Sequence, residues 1–282
     1  MVKIISDSTC DLSQYLLEKY NVTTIPLHIY LGEKEYRDGI DIVPDGIYEW
    51  VDNHNTTPKT SAVSMDDAKD AMKKVIEEGD EIIVFSISSE MSTTNNIFHI
   101  VAEELEAEDK ISVIDSRSLS TGIGLLVIEA AIMALAKENR ETIVSHIESL
   151  IPKVRASFVI DTLTYLHKGG RCSSLASLAG GMLKLHPKII VTEGKMTVQK
   201  KYRGAMSSVV LRYVDDMKEN IISAKRDRVF ITHSGYSDEV VEKVKQYLLD
   251  LKYFDEVLVT RAGGVISSHC GPGTLGVLFI ED

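Results

Sequence analysis

Residues 2–13, VKIISDSTCDLS, run from a short apolar segment into a polar turn and then into the start of a helix. The pattern predicts a buried strand over residues 2–6 and an amphipathic helix over 11–20. The same order recurs at EIIVFS (81–86) and KISVID (110–115), each followed by a polar loop and a helical pattern. This alternation favours an α/β fold with parallel strands joined by helical crossovers.

The segment after the first helix does not follow this alternation of strand and helix. Residues 22–36, VTTIPLHIYLGEKEY, alternate in polarity around a Gly-containing turn at 31–34 and predict a hairpin. Helical patterns follow near 44–53 and 66–78. We interpret residues 44–80 as an insertion or a lid.

The 282-residue length exceeds the usual size of one hydrophobic core and favours two α/β domains. The helices before Pro152 have no strand between them, and the strand pattern begins again at 156–160. We therefore predict an N-terminal domain, residues 1–152, and a C-terminal domain, residues 153–282. The second domain is predicted to contain a helix through 183, a hairpin across 193–195, helices at 204–222 and 237–250, and strands at 228–232, 256–260 and 275–280.

Composition narrows the function classes. The net charge of −11 disfavours nucleic acid and anionic membranes, which proteins bind through clustered Lys and Arg. No stretch approaches the roughly 18 apolar residues of a membrane span. The cysteines are three in number, far apart and without a C-x-x-C pair, which gives no sign of a disulfide framework or a zinc site. The sequence thus predicts a cytoplasmic protein without stable membrane insertion.

Hydroxyl-rich loops follow several of the predicted strands. They are Ser6-Asp7-Ser8-Thr9, Thr60-Ser61, Ser88-Ser89 with Ser92-Thr93-Thr94, and Asp115-Ser116. In an open α/β sheet such loops gather at the carboxyl ends of the strands, where ligands bind. Hydroxyls also cap helices, so we expect most of them to be caps and one or two to contact a ligand.

His269 lies in Ser267-Ser268-His269-Cys270-Gly271-Pro272-Gly273-Thr274, which we interpret as a rigid turn before the last strand. An imidazole there can donate a hydrogen bond to a carboxylate, although a solvent-facing histidine is the alternative. Residues 168–203 form the strongly basic stretch of this acidic chain and include Arg171 and Arg203. This stretch is either a docking face for an acidic partner or a solvated surface.

The sequence lacks the common enzyme motifs that we searched for. The chain has no G-x-x-x-x-G-K-[ST] phosphate loop, no G-x-S-x-G nucleophile elbow and no i, i+4 histidine pair. Asp7, Asp115 and Asp161 do not form a cluster dense enough to suggest a magnesium site for phosphoryl transfer. We predict a binding protein with no catalytic residues and no metal.

Several stretches, in order along nearly the whole chain, resemble the DegV family, whose members include the fatty-acid-binding subunits of bacterial fatty acid kinase. The matching segments are Ser6 to Leu12, Pro58-Lys59-Thr60-Ser61, Ser88 to Ser92, Asp115-Ser116, Leu163 to Arg171, and His269 to Gly273. The resemblance implies two α/β domains with a tunnel between them for one long-chain fatty acid, such as palmitate, stearate or oleate.

The resemblance also implies roles for individual residues. Thr60 and Ser92 would bind the carboxylate directly, with Ser61 beside them and His269 and Gly271 completing the network. Arg171 and Arg203 would be docking positions for the ATP-binding kinase subunit, which would convert the bound acid to an acyl phosphate. No cofactor would be needed on this chain.

Three departures from the family pattern bear on ligand preference. Met91-Ser92-Thr93-Thr94-Asn95 stands where the family usually has Leu-Ser-Gly-Thr-Tyr, Ala62-Val63 replaces Gln-Pro, and His186-Pro187-Lys188 replaces Lys-Pro with an apolar residue. Two other functions stay open at this point. One is an acyl-ester hydrolase that uses a Ser/His/Asp arrangement, and the other is a sensor or interaction protein whose lipid stabilises the fold.

Overall fold

Two large β-sheets and one small sheet organise the protein in this computed structural model, which describes residues 1–171 and 185–282. The strands are β1 (Val2–Asp7), β2 (Val22–Ile25), β3 (His28–Leu31), β4 (Lys34–Arg37), β5 (Lys59–Ser61), β6 (Glu81–Ser86), β7 (Ile111–Asp115), β8 (Val154–Val159), β9 (Leu185–Thr192), β10 (Lys195–Arg203), β11 (Arg228–His233), β12 (Glu256–Arg261) and β13 (Leu275–Ile280). The helices are α1 (Gln14–Lys19), α2 (Pro44–His54), α3 (Met65–Glu77), α4 (Thr94–Glu104), α5 (Thr121–Leu135), α6 (Arg140–Leu150), α7 (Thr164–Gly169), α8 (Met206–Asp215), α9 (Lys218–Ile221), α10 (Asp238–Asp250) and α11 (Gly264–Cys270).

The N-terminal sheet has four parallel strands in the order β2-β1-β6-β7. Successive side chains of β6 point to opposite faces, and both faces are covered. Ile83 and Phe85 pack with α5 and α6, whereas Ile82 and Val84 pack with α3 and α4. A parallel sheet buried on both faces requires continuous apolar strands, which is why EIIVFS has no polar alternation. The predicted parallel α/β arrangement is confirmed here.

The C-terminal sheet has six strands in the order β10-β9-β8-β13-β11-β12 and is mixed, with β11 and β12 parallel and the other pairs antiparallel. One face, which includes Val277 and Phe279, packs with α8 and α10. The opposite face, which includes Phe158 and Leu278, belongs to the same hydrophobic cluster as α5.

Helix α5 therefore lies between the two large sheets. Its sequence, TGIGLLVIEAAIMAL, is apolar on nearly all sides, and ten of its fifteen residues are buried. A helix that is apolar all round is stable only where protein surrounds it, which the two sheets provide. The halves of the molecule thus share one continuous core.

The small antiparallel sheet, β4-β3-β5, and helix α2 lie at the junction of the halves. The Tyr48 hydroxyl of α2 donates to the Ser234 carbonyl at 2.8 Å, and Asp45 forms an ion pair with Arg261. Helix α3, by contrast, packs on β6 and α4. Residues 44–80 are thus divided between a bridging helix, a strand of the small sheet and a regular helical layer of the N-terminal half.

Two expectations differ from the structure, and a third lies outside the described residues. The hairpin predicted over 22–36 is confined to β3 and β4, because Pro26 separates β2, which pairs in parallel with β1. The helix predicted over 204–222 is two helices, α8 and α9. The helix predicted through residue 183 falls outside the described residues. No helix in the described parts of the chain is both long and apolar enough to span a membrane.

Candidate ligand-binding cavity

A cavity of about 410 Å³ lies between the two halves of the molecule. This volume falls within the range of about 300–1,000 Å³ that is typical of small-molecule sites. Most of its wall is apolar, and the polar groups gather in a few loops and in α11. The cavity is lined by Leu27, Thr60, Ser61, Ala62, Ile87, Ser89, Met91, Ser92, Thr93 and Leu119 from the N-terminal half, and by Arg171, Met196, Val265, Ile266, His269 and Cys270 from the C-terminal half.

Thr60 and His269 meet in this cavity from positions 209 residues apart. The Thr60 Oγ1 to His269 Nε2 distance is 2.7 Å, a hydrogen bond in which either atom can be the donor. Thr60 is held because β5 pairs with β3, with Thr60 opposite Ile29. His269 is held in the last turn of α11. The structure therefore brings together two residues that the sequence only suggested separately.

The ring of His269 is packed from behind by Gly169 of α7. A Cβ atom at Gly169 would stand 2.3 Å from His269 Nδ1, so only glycine fits there. Nδ1 has no hydrogen-bond partner among the described residues. Burial, with a smaller contribution from the positive charge of Arg171, lowers the pKa of His269 to about 4. The imidazole is therefore neutral at pH 7.

Ser92 lies on the loop between β6 and α4, on the N-terminal side of the cavity. Its Oγ is 3.0 Å from Thr94 Oγ1, and both side chains are at the start of α4. The loop is anchored to the C-terminal half, because Ser88 Oγ donates to the Gly194 carbonyl at 2.8 Å. Ser61 also lines the cavity and is more exposed. Thr60, Ser61, Ser92 and His269 thus line one cavity.

Gly271 is not among the residues that line the cavity. Its N–H donates to the Ser267 carbonyl at 2.9 Å, and its carbonyl accepts from the Ser234 hydroxyl. With φ at 72°, it ends α11 in a backbone conformation that favours glycine. This corrects the interpretation of His269 as a turn residue, because the helix continues through Cys270 and the turn begins after it.

The two predicted docking arginines lie in different places. Arg171 is exposed, lines the cavity near His269 and donates from Nη1 to the Gly169 carbonyl at 2.7 Å. Arg203 is exposed at the end of β10, the edge strand of the C-terminal sheet, and does not line the cavity. Part of the basic stretch 168–203, including Lys184, falls outside the described residues.

Sequence reasoning missed the apolar wall and Gly169. Leu119, Met196 and Ile266 are spaced like ordinary core residues, and nothing in a single sequence separates a cavity wall from a filled core. Gly169 belongs to the segment Leu163 to Arg171 that resembles the family, but its contact with His269 depends on how α7 and α11 pack. Apolar surface of this kind favours contact with hydrocarbon over contact with water.

A second cavity of about 630 Å³ lies elsewhere between the halves and contains none of the predicted headgroup residues. Its cationic lining residues are Arg117, Arg155 and Lys188. Within residues 1–171 and 185–282, no group of three or more His, Cys, Asp and Glu side chains is arranged to hold a metal ion.

The hydrolase arrangement is not assembled in the described residues. Ser92 Oγ bonds Thr94 and not His269, and no carboxylate there contacts His269 Nδ1. A triad needs a nucleophile on one ring nitrogen and an orienting carboxylate on the other. The geometry favours hydrogen bonding to a ligand over nucleophilic catalysis.

Comparisons with known proteins agree over the full length. The family model described as "Uncharacterised protein, DegV family" matches residues 1–282. A DegV domain-containing protein of Clostridium acetobutylicum is 31% identical over 99% of this chain and 98% of its own. A fatty-acid-binding DegV family protein from Thermus thermophilus has a TM-score of 0.91 and 28% identity, covering 100% of this chain and 99% of its own. A stearic acid-binding protein from Eubacterium ventriosum has a TM-score of 0.86 and 29% identity, covering 100% of this chain and 98% of its own. The chain belongs to the DegV family.

Proposed function

We propose that the protein binds one long-chain fatty acid between its N-terminal domain (1–152) and its C-terminal domain (153–282). The observation that carries this proposal is a cavity with an apolar wall and a cluster of Thr60, Ser92 and His269 at one place in it. The fatty-acid-binding proteins of Thermus thermophilus and Eubacterium ventriosum have the same fold over the full chain.

The apolar wall supplies the driving force for binding. Burying a methylene contributes about 0.8 kcal/mol, so sixteen carbons contribute on the order of 12 kcal/mol before the costs of association and ordering are subtracted. Tight retention therefore requires no covalent bond. The opposing cost is the carboxylate, which loses several kcal/mol of hydration unless hydrogen bonds replace it.

The headgroup cluster is suited to replace that hydration. We propose that His269 Nε2–H donates to Thr60 Oγ1, which leaves the Thr60 hydroxyl proton to donate to one carboxylate oxygen. The Ser92 hydroxyl donates to the same carboxylate, and Ser61 lies alongside. Gly271 contributes by ending α11 after Cys270, one residue beyond His269. A carboxylate held by hydroxyls, without a bidentate arginine, keeps one oxygen available for a further reaction.

Native mass spectrometry of the full chain purified from cells tests this proposal. A bound mass of a long-chain acid such as palmitate, stearate or oleate is expected. Ser92→Ala should release much of that lipid, because the buried carboxylate loses a donor. Ser223→Ala, an exposed hydroxyl that donates to the Asn220 carbonyl, is the matched control and should retain it. Equal lipid content in the two variants contradicts the assignment.

We further propose that the bound acid is presented to a separate ATP-binding kinase subunit, which phosphorylates its carboxylate to an acyl phosphate. The support is that Arg171 is exposed and lines the cavity next to His269, so a partner that contacts Arg171 would approach the headgroup. Arg203 is proposed as a second contact. In this scheme the chain is a substrate carrier and the partner performs the chemistry.

Pull-down of the lipid-loaded chain with a fatty acid kinase ATP-binding subunit tests the partnership. Arg171→Ala and Arg203→Ala should each weaken capture while leaving the bound lipid in place. Arg226→Ala removes an exposed guanidinium that stacks over Tyr253 and should leave capture unchanged. If both arginine variants are captured as well as the wild type, or if the wild type is not captured, the partnership is rejected. The proposal that the chain binds a fatty acid would still stand.

A further inference from the structure

Three aspartates of the N-terminal half are buried near the cavity without lining it. Asp7, Asp11 and Asp38 are 0%, 5% and 4% exposed. Burial raises the pKa of all three. No lysine or arginine pairs with them in the described residues, so backbone N–H groups and hydroxyls satisfy their oxygens. Removing a carboxylate from water costs free energy that only hydrogen bonds or a paired charge can offset.

Two of these carboxylates hold the first turn of α11 from across the interface. Asp11 Oδ1 accepts from Gly263 N–H at 2.8 Å, and Asp38 Oδ1 accepts from Gly264 N–H at 2.7 Å. The second oxygens are fixed by serine hydroxyls: Ser120 donates to Asp11 at 2.5 Å, and Ser8 donates to Asp38 at 2.9 Å. The free N–H groups at a helix start are therefore bound by the opposite half.

The approach is close enough to require glycine. A Cβ at Gly264 would stand 2.7 Å from both Asp38 Oδ1 and Ile29 Cδ1, and one at Gly263 would stand 3.0 Å from Asp11 Oδ1. Helix α11 is only seven residues long, so fixing its first turn also fixes His269 in its last turn. Asp7 makes a similar contact to the loop that carries Ser92, since its Oδ2 accepts from Ile87 N–H at 2.7 Å at the start of that loop.

We propose that Asp11 and Asp38 are positioning residues that set the place of His269 in the cavity by binding the start of α11, and that Asp7 sets the Ser92 loop. The inference rests on the proposed function, because it concerns the same headgroup cluster. These aspartates do not contact the ligand in this proposal. They act through the start of α11 and through the loop that carries Ser92.

Oleate titration of the delipidated full chain, followed by calorimetry, tests the inference on Asp38. Asp38→Ala leaves Gly264 N–H and the Ser8 hydroxyl without their acceptor and should weaken oleate binding about tenfold or more. Asp38→Asn keeps an acceptor of the same shape and should stay within about threefold of the wild type. Glu129→Gln is the control, a carboxylate that pairs with Lys225 and Arg228 away from the cavity.

The ¹⁵N chemical shifts of the His269 imidazole separate positioning from general destabilisation. They should change in Asp38→Ala, return in Asp38→Asn and stay unchanged in Glu129→Gln. If the Asp38→Ala variant binds oleate as tightly as the Glu129→Gln variant does, the inference is wrong. If Asp38→Ala does not fold, Ser8→Ala serves in its place, because it removes only one hydroxyl. It should change the His269 ¹⁵N chemical shifts and weaken oleate binding.

His269→Ala in the same titration distinguishes the positioning role of Asp38 from the headgroup role of His269. Loss of affinity in His269→Ala with none in Asp38→Ala rejects the positioning role and leaves the proposed function intact. Unchanged affinity in both variants rejects the headgroup assignment itself.

Discussion

The cavity at His269 and the larger cavity at Lys188 both lie between the two halves of the molecule, but they differ in what their polar groups are doing. In the larger cavity, Arg117 donates to the Glu193 carbonyl at 2.8 Å and Arg155 forms an ion pair with Glu281. Lys188 stacks over the Tyr213 ring. In the smaller cavity, His269 Nδ1 has no partner in the described residues.

Volume alone therefore does not locate a binding site. The cations of the larger cavity already have partners within the chain, namely a carbonyl for Arg117, a carboxylate for Arg155 and an aromatic ring for Lys188. The smaller cavity combines hydrocarbon surface with hydroxyls and with an imidazole that Gly169 and Thr60 hold in place. A ligand carboxylate gains most where donors converge on an apolar space.

Filling each cavity with a bulky side chain should separate them most clearly. Ile266→Trp occupies the smaller cavity and should abolish lipid retention, because the acyl chain loses its space. Ile190→Trp is the matched change in the larger cavity and should retain lipid. Lipid content by mass spectrometry checks both variants, and loss of lipid in Ile190→Trp alone would move the site to the larger cavity.

Ligand binding should raise the pKa of His269 from its value of about 4 in the ligand-free cavity. A carboxylate nearby favours the charged imidazole, opposing burial and the charge of Arg171. The protein therefore takes up protons on binding when the pH lies between the free and bound pKa values, and affinity rises as the pH falls through that window. NMR titration of the imidazole with and without oleate measures both values. Exposed His54 is the internal control, and equal pKa values for His269 in the two states would contradict a carboxylate bound next to the Thr60–His269 pair.

The buried aspartates should give a smaller effect on stability. Burial raises the pKa of Asp11 to about 8, so the folded state holds a proton that the unfolded state releases near pH 4. The contribution of Asp11 to stability is therefore complete at low pH and is lost as the pH rises to about 8. Between pH 6.5 and 8 this loss is about 1–2 kcal/mol in the free energy of unfolding.

Urea unfolding across that interval checks the prediction. The wild type should lose stability from pH 6.5 to 8, and Asp11→Asn should show a flatter profile because its side chain does not titrate. Asp250→Asn, on the exposed end of α10, is the control. Parallel profiles for the wild type and Asp11→Asn would show that this carboxyl does not titrate in the interval.

The sequence predicted those parts of the molecule that local patterns determine. The parallel strands β1, β6 and β7 follow from continuous apolar runs, and α2, α3 and α10 follow from helical periodicity. The residue types around the headgroup cluster were also recognised, partly through the resemblance to a family. His269 was misplaced in a turn because α11 is short and contains two serines and two β-branched residues, which are weak helix formers.

What remained hidden depends on contacts between distant segments. The hydrogen bond between Thr60 and His269 joins residues 209 positions apart, and the fit of Gly169 behind the imidazole depends on two helices meeting. The separation of β2 from the β3–β4 hairpin depends on pairing with β1. A single sequence does not encode these pairings in any local pattern.

The bridging helix α2 carries Trp50, the single tryptophan of the chain, stacked on His54 with ring centroids 4.7 Å apart. The same helix is tied to the C-terminal half by Tyr48 and Asp45. A rearrangement of the two halves would therefore disturb the surroundings of one indole, and its emission would follow that rearrangement without any added label. A displacement of α2 from the C-terminal half would thus be visible in the emission of the protein itself.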